Sequence, residues 1–365
     1  MIVKGIKGLL KISCVSMGLL FCLIGTEVLA ADESVGNVVG FNYKVDYPDN
    51  QLGMNKGYFD LLMVPGKEQT VTIALSNPGK ENITVNVSLN GTKTNPNGVV
   101  EYGVTEIEND PSLKFPFEEV VSGPESVELA GGEVKNLELK VKMPETSFDG
   151  EILGGIQMKK ANQETGEVTK GATVRNEYTY VVAMVLKNNE APVLPEVQLN
   201  KATGSQRNYR NSVAINLSNV AATLVTGKLD VEAQIMKKGS QEVLYERKQS
   251  GMSIAPNSYM DLYVSMNGEQ MIPGDYSAKV LATIEDQKWE KTLDFTITKE
   301  EADKYNKRDV GLVQDRGLDW KIVGLIVGGI LVIVIILFVS VRLIQKKGSK
   351  KSGVKSSKRS SSKKR

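Results

Sequence analysis

The sequence predicts an all-β protein: two tandem immunoglobulin-like β-sandwich domains, plus one C-terminal transmembrane helix. Three observations carry that expectation. Apolar and polar residues alternate with period two in short runs between residues 70 and 297, the mark of strands with one face in a core and one in water. Clusters of Asn, Pro and Gly separate the runs as turns do. Near the end, residues 320–341 read WKIVGLIVGGILVIVIILFVSV, with Lys321 as the one charge; about 20 apolar residues are enough to span a bilayer as a helix.

At the N-terminus, Lys4, Lys7 and Lys11 precede an apolar run over 12–24, and Val28, Leu29 and Ala30 offer a small-residue cleavage site. Residues 1–30 therefore read as a secretory signal peptide, the run being short for a membrane span. Cys22 follows Leu20 and Phe21, and the bulk of Phe21 argues against a lipoprotein anchor there.

A first β-sandwich is expected over 31–190. Val71, Ile73 and Leu75 alternate with Thr70, Thr72 and Ser76; Val85, Val87 and Leu89 with Thr84, Asn86 and Ser88; Leu137, Leu139, Val141 and Met143 with Asn136, Glu138, Lys140 and Lys142. Turns at Asn77-Pro78-Gly79, Asn95-Pro96-Asn97-Gly98 and Gly131-Gly132 divide them. The pair Gly154-Gly155 is consistent with a bend in a strand. The run 177–187, EYTYVVAMVLK, reads as a last, well-buried strand, and the polar cluster with Pro192 and Pro195 after it reads as a linker.

The pattern restarts in a second unit over 191–298. Val213, Ile215 and Leu217 mark one strand, Leu229, Val231, Ala233 and Ile235 another. Pro273-Gly274-Asp275 opens a third through Tyr276, Ala278, Val280 and Ala282, and Leu293, Phe295 and Ile297 close the series. Its size and pattern suit an immunoglobulin-like sandwich. Residues 299–319 are charged and strand-poor and read as a helical or flexible stalk. The transmembrane helix over 320–341 follows, and then a basic tail over 342–365 with eleven Lys or Arg and no acid. That tail is expected to stay in the cytoplasm by the positive-inside rule, and beyond Gln345 to be disordered. Everything before Trp320 is then outside the cell membrane.

Composition narrows the function. The exterior, residues 31–321, holds 31 basic and 42 acidic residues, a net charge of −11. An acidic surface argues against nucleic acid, whose phosphates need a basic face. The chain has no histidine, which removes His-dependent triads, His general bases and His-ligated zinc. Its two cysteines, Cys14 and Cys22, both lie in the expected signal peptide. The exterior must therefore stand on hydrophobic cores without disulfides. Nothing in the sequence asks for a cofactor or a metal. A carboxylate-pair or Ser–Lys hydrolase stays open in principle, but most carboxylates read as solvated strand faces and the expectation is no enzyme.

Three sequons, Asn82-Ile83-Thr84, Asn86-Val87-Ser88 and Asn90-Gly91-Thr92, fall on one strand with their asparagines on the polar side. Other strings are more telling. They are Tyr47-Pro48-Asp49-Asn50-Gln51 with Gly57-Tyr58-Phe59-Asp60-Leu61 and Val64-Pro65-Gly66; Asn97-Gly98-Val99-Val100-Glu101-Tyr102; Ser112-Leu113-Lys114-Phe115-Pro116-Phe117; and Lys142-Met143-Pro144 with Phe148-Asp149-Gly150 and Gly154-Gly155-Ile156. In the second unit, residues 251–256 and Ile272-Pro273-Gly274-Asp275-Tyr276 add to them. In these strings the chain resembles the WxL-interacting proteins of Gram-positive bacteria, and the resemblance extends over the whole exterior, the apolar helix and the basic tail.

That resemblance implies a two-domain surface protein. Its first domain would bind peptidoglycan and its second would dock WxL-domain proteins and, in some members, host matrix proteins. The residues alone lead only to a membrane-anchored pair of sandwiches without catalytic apparatus. A glycan-binding first domain would use aromatic faces against sugar C–H surfaces and amides or carboxylates against hydroxyls. Asn50, Gln51, Tyr58, Asp60 and Tyr102 are the expected ligand-binding residues, with turn-capping and core packing as their alternative roles. The expected function is a cell-surface adaptor between peptidoglycan and WxL-domain proteins; the alternative is an adhesin for host extracellular-matrix protein.

Overall fold

The computed structural model describes residues 39–53, 56–163, 177–312 and 320–349. The expected signal peptide, the last part of the stalk at 313–319 and the tail beyond residue 349 lie outside the described residues. Two compact units are present, residues 1–309 and 310–365.

The first unit contains two pairs of sheets. In the first sandwich one sheet runs β1 (Asn42–Asp46), β3 (Glu68–Ser76), β9 (Val134–Lys142), β7 (Val121–Ser122). The facing sheet runs β2 (Phe59–Leu62), β11 (Tyr180–Lys187), β10 (Glu151–Lys160), β4 (Ile83–Gly91), β8 (Ser126–Leu129). All neighbours are antiparallel except β2, which pairs parallel with β11. The alternation explains the core. Val71 and Ile73 of β3 stand opposite Leu139 and Leu137 of β9, and all four are buried. Each such side chain contributes about 1.5–3 kcal/mol by leaving water.

Strand β10 departs from the expectation. It is not bent at Gly154-Gly155 but pairs in unbroken register with β4 and β11. The glycines serve close approach instead. A Cβ on Gly154 would lie 2.2 Å from Cγ of Phe117, and one on Gly155 would lie 2.2 Å from the carbonyl oxygen of Tyr102. The short helix α1 (Phe117–Val120) and the segment around Tyr102 therefore lie directly on this strand.

The second sandwich sets a three-stranded sheet, β12 (Val197–Arg207), β13 (Arg210–Asn219), β16 (Ser258–Ser265), against a four-stranded one. The latter runs β15 (Val243–Ile254), β14 (Val225–Lys237), β17 (Gly274–Ile284), β18 (Gln287–Ile297), and every pairing is antiparallel. Ile215, Leu217, Leu229, Val231, Leu262 and Val280 fill the space between them. A small hairpin, β5 (Lys93–Thr94) with β6 (Val100–Glu101), leaves the first sandwich and reaches the second.

The two sandwiches share a device that the strand pattern alone did not reveal. The string Leu-Ser-Asn ends β3 at Leu75-Ser76-Asn77 and β13 at Leu217-Ser218-Asn219. Each asparagine is buried and clamps the turn that follows. Nδ2 of Asn77 donates to the carbonyls of Glu81 at 2.8 Å and Ala130 at 3.0 Å. Nδ2 of Asn219 donates to those of Thr223 at 2.7 Å and Ala255 at 3.1 Å, while its Oδ1 accepts from the Ala221 amide. Asn219→Ala orphans these buried backbone groups, and the expected loss is about 2 kcal/mol or more. Urea unfolding measures it; an unchanged midpoint would contradict the clamp.

The segment expected as a stalk begins as a structured cap. Helix α2 (Lys299–Arg308) starts with a capping box, the Glu301 amide donating to Thr298 Oγ1 at 3.1 Å and the Thr298 amide to Glu301 Oε2 at 2.9 Å. Ala302 and Tyr305 pack on the second core, and the buried Asp309 accepts from the Asn211 amide at 2.6 Å. The part up to Asp309 therefore belongs with the second sandwich.

The second unit contains helix α3 (Trp320–Ser349), in which Gly324–Leu343 is long and apolar enough to cross a membrane. Its apolar side chains are exposed along that stretch, as a helix surrounded by lipid requires. The helix continues past its expected end at 341. Arg, Leu, Gln and Lys there are good helix formers, and no glycine interrupts before Gly348.

Candidate functional site

The five expected residues divide by how their polar atoms are used. The loop before β2 is built on Asn50 and Gln51. Asn50 donates through Nδ2 to the Leu62 carbonyl at 3.0 Å and accepts at Oδ1 from Gln69 Nε2 at 2.8 Å. Gln51 donates to the Tyr58 carbonyl at 3.3 Å and accepts from the Asp60 amide at 3.0 Å. Both side-chain amides are thus bound to the protein itself, which is the turn-building role. Asp60 is buried at 6% exposure. Lys56 Nζ lies 2.8 Å from its Oδ2 and Lys187 Nζ 3.5 Å from its Oδ1. A carboxylate held in this way is costly to desolvate unless both lysines stay, so Asp60 acts as an internal anchor.

Tyr58 and Tyr102 are half-buried. Lys56 sits 5.6 Å from the centroid of the Tyr58 ring. The Tyr102 hydroxyl is pushed up from its ordinary range, first by burial and then by the negative charge of Glu151 and by Tyr58, so it remains a donor at neutral pH. Lys187 lies 3.7 Å from Glu151 Oε2 as well. Sequence reasoning did not nominate Lys56, Lys187 or Glu151. Lys56 reaches Asp60 from four residues away, whereas the link of Lys187 to Asp60, and through it to Glu151, depends on the parallel pairing of β2 with β11, in which Leu62 stands opposite Lys187.

Glu151 leads to the seam between the sandwiches. Its amide donates to the Ala222 carbonyl at 2.8 Å and its Oε1 accepts from the Leu224 amide at 2.7 Å. A Cβ on Gly150 would meet that Ala222 oxygen at 2.1 Å. Farther along, Ser218 donates to the buried Asp110 at 2.5 Å, and Asp110 also accepts from the Ser112 amide. Asn257 donates to both oxygens of Ser112 at 3.3 Å and to the Val220 carbonyl at 2.9 Å.

The β5–β6 hairpin closes the seam. Thr94 Oγ1 accepts from the Ala255 amide at 2.9 Å and lies 2.7 Å from Ser258 Oγ. Ser258 uses its own proton on the Ala255 carbonyl, so Thr94 is the donor to Ser258. At the hairpin tip, Arg207 donates to the Pro96 carbonyl and to Asn97 Oδ1, and the Ser253 amide donates to the Gly98 carbonyl at 2.8 Å.

Two of the hollows along this seam share Ser112 and Val220. One, of about 360 Å³, is lined by Phe115, Phe117 and Phe148 together with Ser112, Ser147 and Asn257. The rings of Phe115 and Phe148 lie 5.3 Å apart at 42°. The other, of about 680 Å³, is polar, with Glu108, Asp110, Asn200, Asn216, Tyr259 and Asp261 on its walls. Among the described residues no group of three or more His, Cys, Asp or Glu is placed to hold a metal ion.

Comparison with known proteins gives the chain a family. Residues 41–160 match the WxL Interacting Protein peptidoglycan binding domain, and residues 169–307 match the WxL Interacting Protein host binding domain. The second match begins before β11, although β11 lies between β2 and β10 in the first sandwich. No curated protein matches the chain. Among solved structures, the YadV chaperone is 11% identical, with 70% of this chain and 100% of that one covered, at a TM-score of 0.27. The Pseudomonas aeruginosa CupB2 chaperone is 11% identical over 65% and 97% of the two chains, at a TM-score of 0.24. The E. coli chaperone DraB is 11% identical over 71% and 98%, also at 0.24. Since the two family matches together cover well over half of its length, the chain belongs to the WxL-interacting protein family.

Proposed function

We propose that this protein is a non-enzymatic adaptor of the cell surface, which holds peptidoglycan through its first sandwich and docks WxL-domain proteins on its second. The observation that carries the reading is the pair of adjoining family matches, one to a peptidoglycan binding domain and one to a host binding domain. Helix α3 supplies the membrane anchor. The basic tail after it orients the sandwiches outward by the positive-inside rule.

Docking on the second sandwich uses a sheet edge. Strand β12 ends the three-stranded sheet and β18 ends the four-stranded one. The two flank a groove of about 430 Å³ between residues 197–200 and 288–291. Edge strands present backbone N–H and C=O groups that an extended segment of a partner can pair with. Lys291 Nζ reaches the Leu199 carbonyl at 2.9 Å across this groove and guards it in the absence of a partner.

The test is capture from the secreted surface proteins of the source cell by the purified full chain in detergent. Retention of WxL-domain proteins at micromolar concentration is expected. If none is retained, the adaptor reading fails. The second reading, an adhesin for host extracellular-matrix protein, is favoured by the name of the second matched domain. Retention of matrix protein without any WxL-domain protein would establish that reading instead.

A further inference from the structure

We propose that the aromatic hollow at the seam is a saccharide subsite, taking an N-acetylated amino sugar of the wall polysaccharide, and that both sandwiches build it. The proposal deepens, and rests on, the peptidoglycan-binding reading above.

The chemistry of the walls points to a sugar. The hollow, about 360 Å³, lies within the range of roughly 300–1,000 Å³ usual for small-ligand sites, which also favour domain interfaces. Phe115 and Phe148 are half-buried, packed on the first core from one side while they line the hollow on the other. Such rings offer the flat apolar faces on which the C–H surface of a pyranose lies. Around them stand groups that suit hydroxyls and an acetamide: the hydroxyls of Thr146 and Ser147, both exposed, and the side chain of Asn257. Asn257 commits its Nδ2 to Ser112 and Val220, which leaves Oδ1 as the atom it offers a ligand N–H. An apolar ligand would leave these polar groups without partners, and a purely polar one would waste the rings.

The hollow belongs to neither sandwich alone. Phe115, Phe148, Thr146 and Ser147 come from loops of the first, while Val220, Ala222, Pro256 and Asn257 come from turns of the second. The family match named for peptidoglycan ends at residue 160, so the far wall lies outside it. The two walls are tied to each other across the seam: Glu151 to Ala222 and Leu224, Asp110 to Ser218, and Thr94 to Ser258 are all direct hydrogen bonds. A sugar thus meets a preformed site, with little ordering cost on binding.

The experiment is cosedimentation of the full chain in detergent with purified, protein-free peptidoglycan, in competition with the GlcNAc–MurNAc disaccharide and with free stem peptide. Thr146→Trp and Ser147→Trp fill the hollow from its exposed rim without touching the core, and a Lys67→Ala variant away from the seam serves as control. The expected result is an apparent affinity at least tenfold weaker for both tryptophan variants, with unchanged melting temperatures and an unchanged control. The disaccharide should compete with wild type, and stem peptide should not. Equal binding by wild type and by either folded tryptophan variant would overturn the subsite and leave the peptidoglycan reading standing. Competition by stem peptide but not by disaccharide would also overturn it. If wild type itself is not retained by peptidoglycan, the subsite and the reading beneath it fail together.

Discussion

Gly154→Val is expected to destabilise the first sandwich by about 3 kcal/mol or more, the high end for overpacking a closed core. The Cβ would stand 2.2 Å from Cγ of the Phe117 ring. Phe117 is 1% exposed and packed in the first core, so its ring cannot withdraw without giving up those contacts. Strand β10 cannot yield either, because β4 and β11 hold it from both sides. The clash is with a side chain, so it is relieved by removing that side chain. On a Phe117→Ala background the same glycine substitution should cost much less, and a double-mutant cycle by urea unfolding measures the coupling. Additive losses would mean that Gly154 matters for some reason other than room for Phe117.

Gly98→Val is expected to unfasten the two sandwiches. Gly98 has φ +71°, and its Cβ would lie 2.5 Å from Met252 Cβ. Valine there is strained in its backbone and also collides with the surface on which the hairpin tip rests. The tip cannot keep the bonds from Arg207 and from the Ser253 amide while moving away. The wild-type sandwiches, bound along the whole seam, should unfold in one calorimetric transition. The variant should show two, with increased protease cleavage in the segment 188–195. A single transition at an unchanged temperature would show that the hairpin does not couple them.

Most of the long strands were legible because one-sided burial leaves a period of two. Strands β3, β4, β9, β14, β17 and β18 each carry it, and their inward residues form the two cores; β13 alternates in sequence but is buried on both faces. Strand β10 is harder to read: Ile152, Leu153, Gly154, Gly155 and Ile156 are buried without alternation, since Phe117 of α1 packs on the core face at Gly154 and the Tyr102 segment covers the opposite face at Gly155. In β12 the pattern is broken by a shift of register between Leu199 and Lys201. Strand β2 is four residues long and mostly buried, so it offers no period to detect. Helix α2 carries its signal in the Thr298–Glu301 capping box rather than in an apolar face.

The site was less legible for a physical reason: local strings locate loops, while the roles of their side chains depend on distant partners. Asp60 looks like a surface carboxylate until Lys187, far along the chain, is laid beside it. The amides of Asn50 and Gln51 suit a sugar equally well until the β2 backbone claims them. Phe115 and Phe148 stood in strings that carried the family resemblance, and loop aromatics between prolines and polar residues were a usable signal. Their meeting, with the second sandwich closing over them, required the fold.

In the proposed adaptor, one chain bridges the wall and a second surface protein. The direct measurement mixes purified peptidoglycan, a purified WxL-domain protein that does not itself sediment with it, and the full chain in detergent. The WxL-domain protein is expected to enter the pellet only when the chain is present, in proportion to the chain bound. A pellet that contains the chain but never the WxL-domain protein would contradict the adaptor reading.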